Sequence, residues 1–148
     1  MVQRRDTELN EGATESQSIN RLSETVIGSA IEVHRNLGPG LLESAYEQCL
    51  ARELELRELR IDRQVYLDLQ YKGVKVERAY RIDLIVDNRI VIEVKAVEEV
   101  SVIHKMQVLT YLKLTGHQLG LIINFNTPIL WKGVRRVVLT HEPSALPP

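Results

Sequence analysis

Arg81-Ile-Asp-Leu-Ile-Val-Asp-Asn-Arg-Ile-Val-Ile-Glu-Val-Lys95 is the stretch that decides the fold. Two apolar runs flank Asp87-Asn88, and each carries charge where the middle of a sheet should carry none. Glu93 and Lys95 are two residues apart, so on a strand both side chains leave by one face, with Val91, while Ile92 and Val94 leave by the other. A lone carboxylate or ammonium is costly to bury, so such groups are normally paired or metal-bound. Asp83 can join them only if the connecting loop has the right parity. A two-residue turn at Asp87-Asn88 pairs residue 83 with 92 and sends Asp83 to the opposite face. A three-residue loop at 86–88 pairs residue 83 with 91 and keeps Asp83 on the face of Glu93, and Asn88 tolerates the left-handed conformation such a loop asks of its last residue. A metal site therefore requires a three-residue loop, or a bulge of the same effect.

The residue types then set the chemistry. Two carboxylates bind Mg²⁺ or Mn²⁺ through oxygen, with water completing the shell. Such an ion acidifies a water and neutralises charge building on a phosphoryl oxygen. Lys95 is placed to orient that water or to balance the developing charge. The alternative is a surface Glu-x-Lys pair with an unrelated Asp, since Glu-x-Lys alone is common by chance.

Working outward, Val65, Leu67 and Leu69 alternate with Tyr66, Asp68 and Gln70, which predicts a strand. Lys72-Gly73 marks a turn, and strands are expected at about 74–86 and 89–96. Upstream, Leu22, Val26, Ile27, Ala30, Ile31 and His34 recur at helical spacing and predict a helix from Arg21 to Asn36, with Ser23 as its cap. Gly38-Pro39-Gly40 ends it, and a second helix follows over about 42–59. Downstream, Ser101–Thr115 reads as a helix closed by Gly116, Leu119–Phe125 as a buried strand, and Ile129–Trp131 with Val134–Leu139 as a final hairpin around Lys132-Gly133. The whole is an α/β sandwich with a mixed sheet. Residues 1–18, rich in Glu, Thr, Ser, Gln and Asn, read as a disordered tail. Residues 141–148 read as a second tail, leaving one folded domain at 19–140.

Composition narrows the function classes. The chain has 148 residues with 44% hydrophobic and 26% charged side chains, an ordinary globular balance. Its 19 Lys and Arg against 20 Asp and Glu give a net charge of -1, which argues against tight, metal-free DNA binding but leaves room for a local basic groove. One cysteine, Cys49, excludes an internal disulfide and a cysteine-based zinc or iron–sulfur site. The polar residues after Met1 show no signal peptide and no apolar run is long enough to span a bilayer, so a cytoplasmic protein is the expectation.

Asp83 followed by Glu93-Val-Lys95 on paired strands resembles the PD-(D/E)XK nuclease superfamily, with Ile82 where the leading proline would stand. Gly40-Leu-Leu-Glu43-Ser-Ala-Tyr46 resembles the signature of the small bacterial and archaeal group called GxxExxY proteins, and Gln107-Val-Leu-Thr-Tyr111 resembles the QxxxY motif of RecB-type exonucleases. These motifs cover about residues 22–139. The resemblance implies a restriction-endonuclease-like core, a mixed sheet flanked by helices, acting on DNA with Mg²⁺ or Mn²⁺. It implies that Asp83, Glu93 and the Val94 carbonyl ligate the ion, with Glu43 as a further ligand or water-holder. It implies that Lys95 is the catalytic lysine and that Gln107 and Tyr111 position it or touch phosphate. The four-cysteine cluster of CRISPR-associated relatives has no counterpart in a chain with Cys49 alone.

Each further residue has a bland reading beside the functional one. Glu43 also suits a helix start through the dipole. Tyr46 reads foremost as a core aromatic whose hydroxyl finds a polar partner, and His34 as a satisfied core histidine. Trp131 reads as core or edge packing and Cys49 as buried. Lys75, Arg78, Arg81, Arg89, Lys105 and Lys113 are candidates for a basic rim, with Arg81 and Lys105 carried forward beside Tyr111 as nucleic-acid contacts. Three readings stand: a metal-dependent nuclease, a catalytically weak nuclease-fold module that binds nucleic acid or a protein, and a subunit of a larger assembly such as a homodimer paired through edge strands. In a binding module, salt bridges would tie up the carboxylates.

Overall fold

The computed structural model of the chain describes residues 11–140, with side chains from residue 14 onward. Its elements are α1 (Glu11–Leu37), α2 (Glu43–Leu56), β1 (Ile61–Tyr71), β2 (Val74–Val86), β3 (Ile90–Lys95), α3 (Val102–Thr115), β4 (Leu119–Asn124), a 3₁₀ turn (Leu130–Gly133) and β5 (Val134–Val138). The strands form one sheet in the order β1-β2-β3-β4-β5. Neighbours run antiparallel except β3 and β4, which are parallel, so the sheet is mixed as expected. Parallel neighbours need a crossover rather than a hairpin, and α3 supplies it.

The strand period divides the core between two faces. Leu84, Val86, Ile90, Ile92, Val94, Leu121 and Ile123 pack beneath α1 and α2. Ile85, Val91 and Ile122 pack beneath α3, against Val108, Tyr111 and Leu112. Glu93 and Lys95 share the alternation of Val91 and therefore point to the α3 side. Gly120 lets α3 lie close on β4, because a Cβ there would stand 2.6 Å from Val108 Cγ1.

The β2–β3 loop has the required parity. Val86 pairs with Ile90 across Asp87, Asn88 and Arg89, a three-residue loop shifted one place from the expected 86–88. Asp87 and Asn88 both take left-handed conformations, with φ of 50° and 52°, and the Arg89 amide closes the turn on the Val86 carbonyl at 2.9 Å. Asp and Asn bear that geometry better than most residues, which is why the turn sits on them. The shift changes the partner: Leu84 pairs with Ile92, so the register carried one residue further sets Asp83 opposite Glu93 rather than Val91.

Other expectations are corrected. The first helix starts at Glu11 rather than Arg21, so residues 11–18, read as tail, are helical. There Ser18 Oγ accepts from Arg89 Nη1 at 3.0 Å and Ile19 packs on the core. Ser23 is consequently no cap; it lies inside the helix, buried, and accepts from Arg136 Nη1 at 3.1 Å. The final hairpin is instead the 3₁₀ turn followed by β5, which pairs with β4. Gly133 is required there, since a Cβ would meet the Asn124 carbonyl oxygen at 2.3 Å. Trp131 is not packed in the core but 62% exposed. The expected tails at 1–10 and 141–148 lie outside the described residues.

α3 begins and ends as the sequence suggests. Ser101 caps it in a box with His104, each side chain bonding the other's backbone amide, and Gly116 closes it with φ of 81°. His34 is a satisfied core histidine, its Nε2 lying 2.8 Å from the Thr127 carbonyl. Cys49 is half-buried against the core rather than enclosed.

Candidate active site

The site lies where β2 leaves β3. Paired residues end at Leu84 and Ile92, and beyond them the Asp83 side chain takes the place of a strand: Oδ2 accepts the Val94 N–H at 2.8 Å. The fork opens a cleft of about 380 Å³ lined by Glu43, Asp83, Glu93, Lys95, Gln107 and Tyr111, with the β2 residues Arg78–Arg81 and Tyr66 of β1 on its other wall. It sits at the C-terminal end of β3, beside the parallel β3–β4 pair, where open α/β sheets place their ligands. A larger opening of about 760 Å³ lies at the other end of these strands, around Asn88, Arg89 and Gln118, away from the acidic pair.

Asp83 and Glu93 are both buried, and their carboxyls lie within hydrogen-bonding reach of one another. Burial chiefly, then the charge of Asp83, pushes the Glu93 carboxyl up to about 8, against the pull of Lys95. Burial also raises Asp83, opposed by its bonds to Glu93 and the Val94 amide. Two acids this close disfavour joint ionisation, so without a cation the pair tends to hold a proton. Lys95 Nζ is 3.6 Å from Glu93 Oε2. Glu93 Oε1 is buried and has no hydrogen-bond donor among the described residues.

The remaining expected residues divide into those the cleft gathers and those it does not. Glu43 stands at the start of α2, and its Oε1 accepts from the Ala96 amide at 3.3 Å, just past Lys95. It lines the cleft without converging on the pair; among the described residues no three His, Cys, Asp or Glu side chains gather as a metal cluster. Gln107 and Tyr111, one turn apart on α3, face the pair. Burial and the nearby Glu93 and Asp83 raise the Tyr111 hydroxyl above its usual range, so it stays protonated and able to donate. Arg78 and Arg81 lie on the cleft wall, whereas Lys75, Lys105 and Lys113 are not among its lining and Arg89 belongs to the far end of the strands.

Tyr46 supports the site from behind. Its ring stacks on Phe125 at 4.5 Å, its hydroxyl donates to the Gly38 carbonyl at 2.5 Å, and the Leu41 amide donates to it at 3.1 Å. It thereby fixes the loop that leads into Glu43. Three residues near the cleft had gone unmarked. Glu47, one turn beyond Glu43, is buried and held by Arg63 at 2.9 Å, and its charge reaches Asp83. Its spacing from Glu43 was a usable signal. Tyr66 and Tyr80 had no motif around them; they reach the cleft from the β1–β2 hairpin, where Tyr66 pairs with Arg81 and Tyr80 with Leu67.

No curated protein matches the sequence. Among solved structures, the fold is similar to the crystal structure of SSO0001, with a TM-score of 0.52 and 20% identity over 68% of this chain. The chain spans about half of that protein, 52% of its length, so the likeness speaks for the fold alone. The family model of the PD-(D/E)XK nuclease superfamily matches residues 20–137, which take in both strands of the fork, the acidic pair, Lys95 and all of α3. The chain belongs to the PD-(D/E)XK nuclease superfamily.

Proposed function

We propose that this protein is a divalent-metal-dependent nuclease that hydrolyses phosphodiester bonds of DNA. The observation that carries this reading is the Glu93 carboxyl, buried beside Asp83 with one oxygen lacking any donor among the described residues, at the edge of an open cleft. Asp83 has no ion pair among the described residues and Glu93 has only Lys95, so salt bridges do not tie up the carboxylates. Hard oxygen donors that repel one another fit Mg²⁺ or Mn²⁺, whose charge removes the cost of ionising both. Asp83, Glu93 and the Val94 carbonyl would hold the ion, with Glu43 bordering the space beside it.

When bound, the ion would acidify water and offset charge on the phosphoryl group. The chain's own residues supply the rest. Lys95 brings an ammonium into the cleft, where it orients the attacking water or stabilises the charge that develops on phosphorus-bound oxygen. The protonated Tyr111 hydroxyl and the Gln107 amide offer donors to Lys95's neighbours or to phosphate. Arg81 and Arg78 suit the flanking phosphates by their fork of donors. In the reaction, the attacking water gives up a proton to solvent as its oxygen bonds to phosphorus, the bond to the leaving sugar oxygen breaks, and that oxygen takes up a proton from water. On this reading the Gly40–Tyr46 segment is the GxxExxY signature and Gln107–Tyr111 the RecB-type QxxxY motif.

A second reading, a weakly active module that binds nucleic acid or a protein, draws on the net charge of -1, which leaves little general attraction for a duplex. Cleavage assays separate the two. Single- and double-stranded DNA are incubated with Mg²⁺ or Mn²⁺, and the expected result is cleavage by the parent protein that ends on adding a chelator and is absent from Asp83→Asn. No cleavage with either ion, or equal cleavage by Asp83→Asn, contradicts the nuclease.

A further inference from the structure

The β1–β2 hairpin runs well past the sheet. β2 pairs with β3 only through Leu84–Val86, while its earlier residues pair with β1 alone, as far as Tyr71 and Val74. This arm is one wall of the catalytic cleft, and it is bent on purpose. Between the pairs Leu67–Tyr80 and Leu69–Val76 the register slips, so that β2 carries extra residues opposite Asp68. Arg78, at the centre of the bulge, has a φ of 53°, a left-handed conformation that costs a residue with a Cβ about 1 kcal/mol or more. The Asp68 carboxylate holds it there, accepting the Arg78 amide at 2.9 Å.

The bulge puts the Arg78 guanidinium over the ring of Tyr66, 4.4 Å from its centroid. Tyr66 also has Arg81 directly across the strand pair. All three line the cleft that holds Asp83, Glu93 and Lys95, yet Tyr66 is 44% exposed and packs into neither core cluster. An exposed aromatic flanked by two guanidiniums beside a phosphodiester-cleaving centre has the composition of a base-stacking platform: a π-face for the base and cations for its phosphates.

We propose, resting on the nuclease reading above, that Tyr66 and Arg78 form a platform on which a base of single-stranded DNA stacks, so that the enzyme acts on single strands in preference to intact duplex. Two further observations agree. The cleft, of about 380 Å³, is of a size to seat one nucleotide between the platform and the acidic pair. A net charge of -1 gives little hold on a duplex backbone, whereas stacking holds a single strand without demanding net charge. β-bulges beside functional sites commonly re-aim a side chain in this way.

The test is fluorescence anisotropy with the full chain, using labelled oligodeoxythymidine, a duplex of the same length, and an abasic strand with the same phosphates, in Ca²⁺ to hold back cleavage. Parent protein, Tyr66→Ala and Tyr66→Phe are compared, with thermal melts to show that each is folded. The parent should prefer the thymidine strand to the duplex and to the abasic strand. Tyr66→Ala should lose roughly 5- to 100-fold on the thymidine strand and little on the abasic one, and Tyr66→Phe should restore most of the loss. Equal binding of thymidine and abasic strands by the parent, or a folded Tyr66→Ala that binds as the parent does, overturns the platform. Either result leaves the nuclease reading standing if Asp83→Asn still abolishes cleavage. A parent that neither binds nor cuts any of the three overturns both.

Discussion

In metal-free buffer at pH 8.5, Glu93→Gln unfolds roughly 5–15 °C above the parent protein, although it removes a residue of the proposed catalytic centre. Glutamine keeps the shape of a side chain that is 4% exposed, and it cannot ionise. The sign follows from linkage. Glu93 is raised to about 8 in the folded protein, so between its ordinary value near 4.5 and about 8 the folded state binds the more protons. The parent's stability is therefore highest at the acidic end of that window and falls as pH rises through it, flattening above about 8. Asp83, also raised, adds to the same slope. The difference between parent and variant should be small near pH 4.5 and reach about 2–4 kcal/mol at pH 8.5. Millimolar Mg²⁺ or Mn²⁺ should close much of the gap by stabilising the parent alone. Thermal melts across pH 4.5–9 with and without the ion measure this. A parent that gains stability as pH rises from 5 to 8 without metal would mean that the acidic pair carries no strain.

Lys95→Ala should separate chemistry from metal binding. Nζ is 3.6 Å from Glu93 Oε2, close enough to compete with a cation for the same carboxylate. Its loss should leave Mn²⁺ affinity equal or tighter. Cleavage should fall by about 10²–10⁴, the usual range for removing a general acid–base or a transition-state donor. Lys95→Arg should not restore it, because a planar guanidinium replaces a compact ammonium in a partly closed space. Single-turnover cleavage at saturating metal is the measurement. Unchanged rates in Lys95→Ala would reduce the lysine to a charge partner of Glu93.

The sequence carried the fork well because its constraint is one of parity. Charge at positions 83, 93 and 95 makes sense together only if an odd loop joins the strands, and the side-chain period of two turns that into structure. It could not place the loop to the residue, since Asp87 and Asn88 both tolerate the left-handed region and either frame was open. The polar start of α1 was invisible for a different reason. Residues 11–18 lack an apolar stripe, and their helix is continued by Ser18 and Ile19 meeting partners far along the chain. Ser23 suits a cap by residue type, but its hydroxyl accepts from Arg136 inside the helix, a partner 113 residues away that local sequence does not show. Among the cleft residues, Glu43, Gln107 and Tyr111 stand in stretches that resemble known motifs, while Tyr66 and Arg78 do not. Their meeting depends on a bulge centred on a non-glycine residue, Arg78 with φ of 53°, which leaves no mark in composition or period. The slip is decided by Asp68 bonding the Arg78 amide, a tertiary choice between two strands.

The central claim is that Asp83 and Glu93 form a cation site. Calorimetric titration of Mn²⁺ into the parent and into Glu93→Ala tests it most directly. The account predicts saturable binding by the parent, weakened at least tenfold in Glu93→Ala. Absence of binding by the folded parent, or equal binding by both, would contradict it.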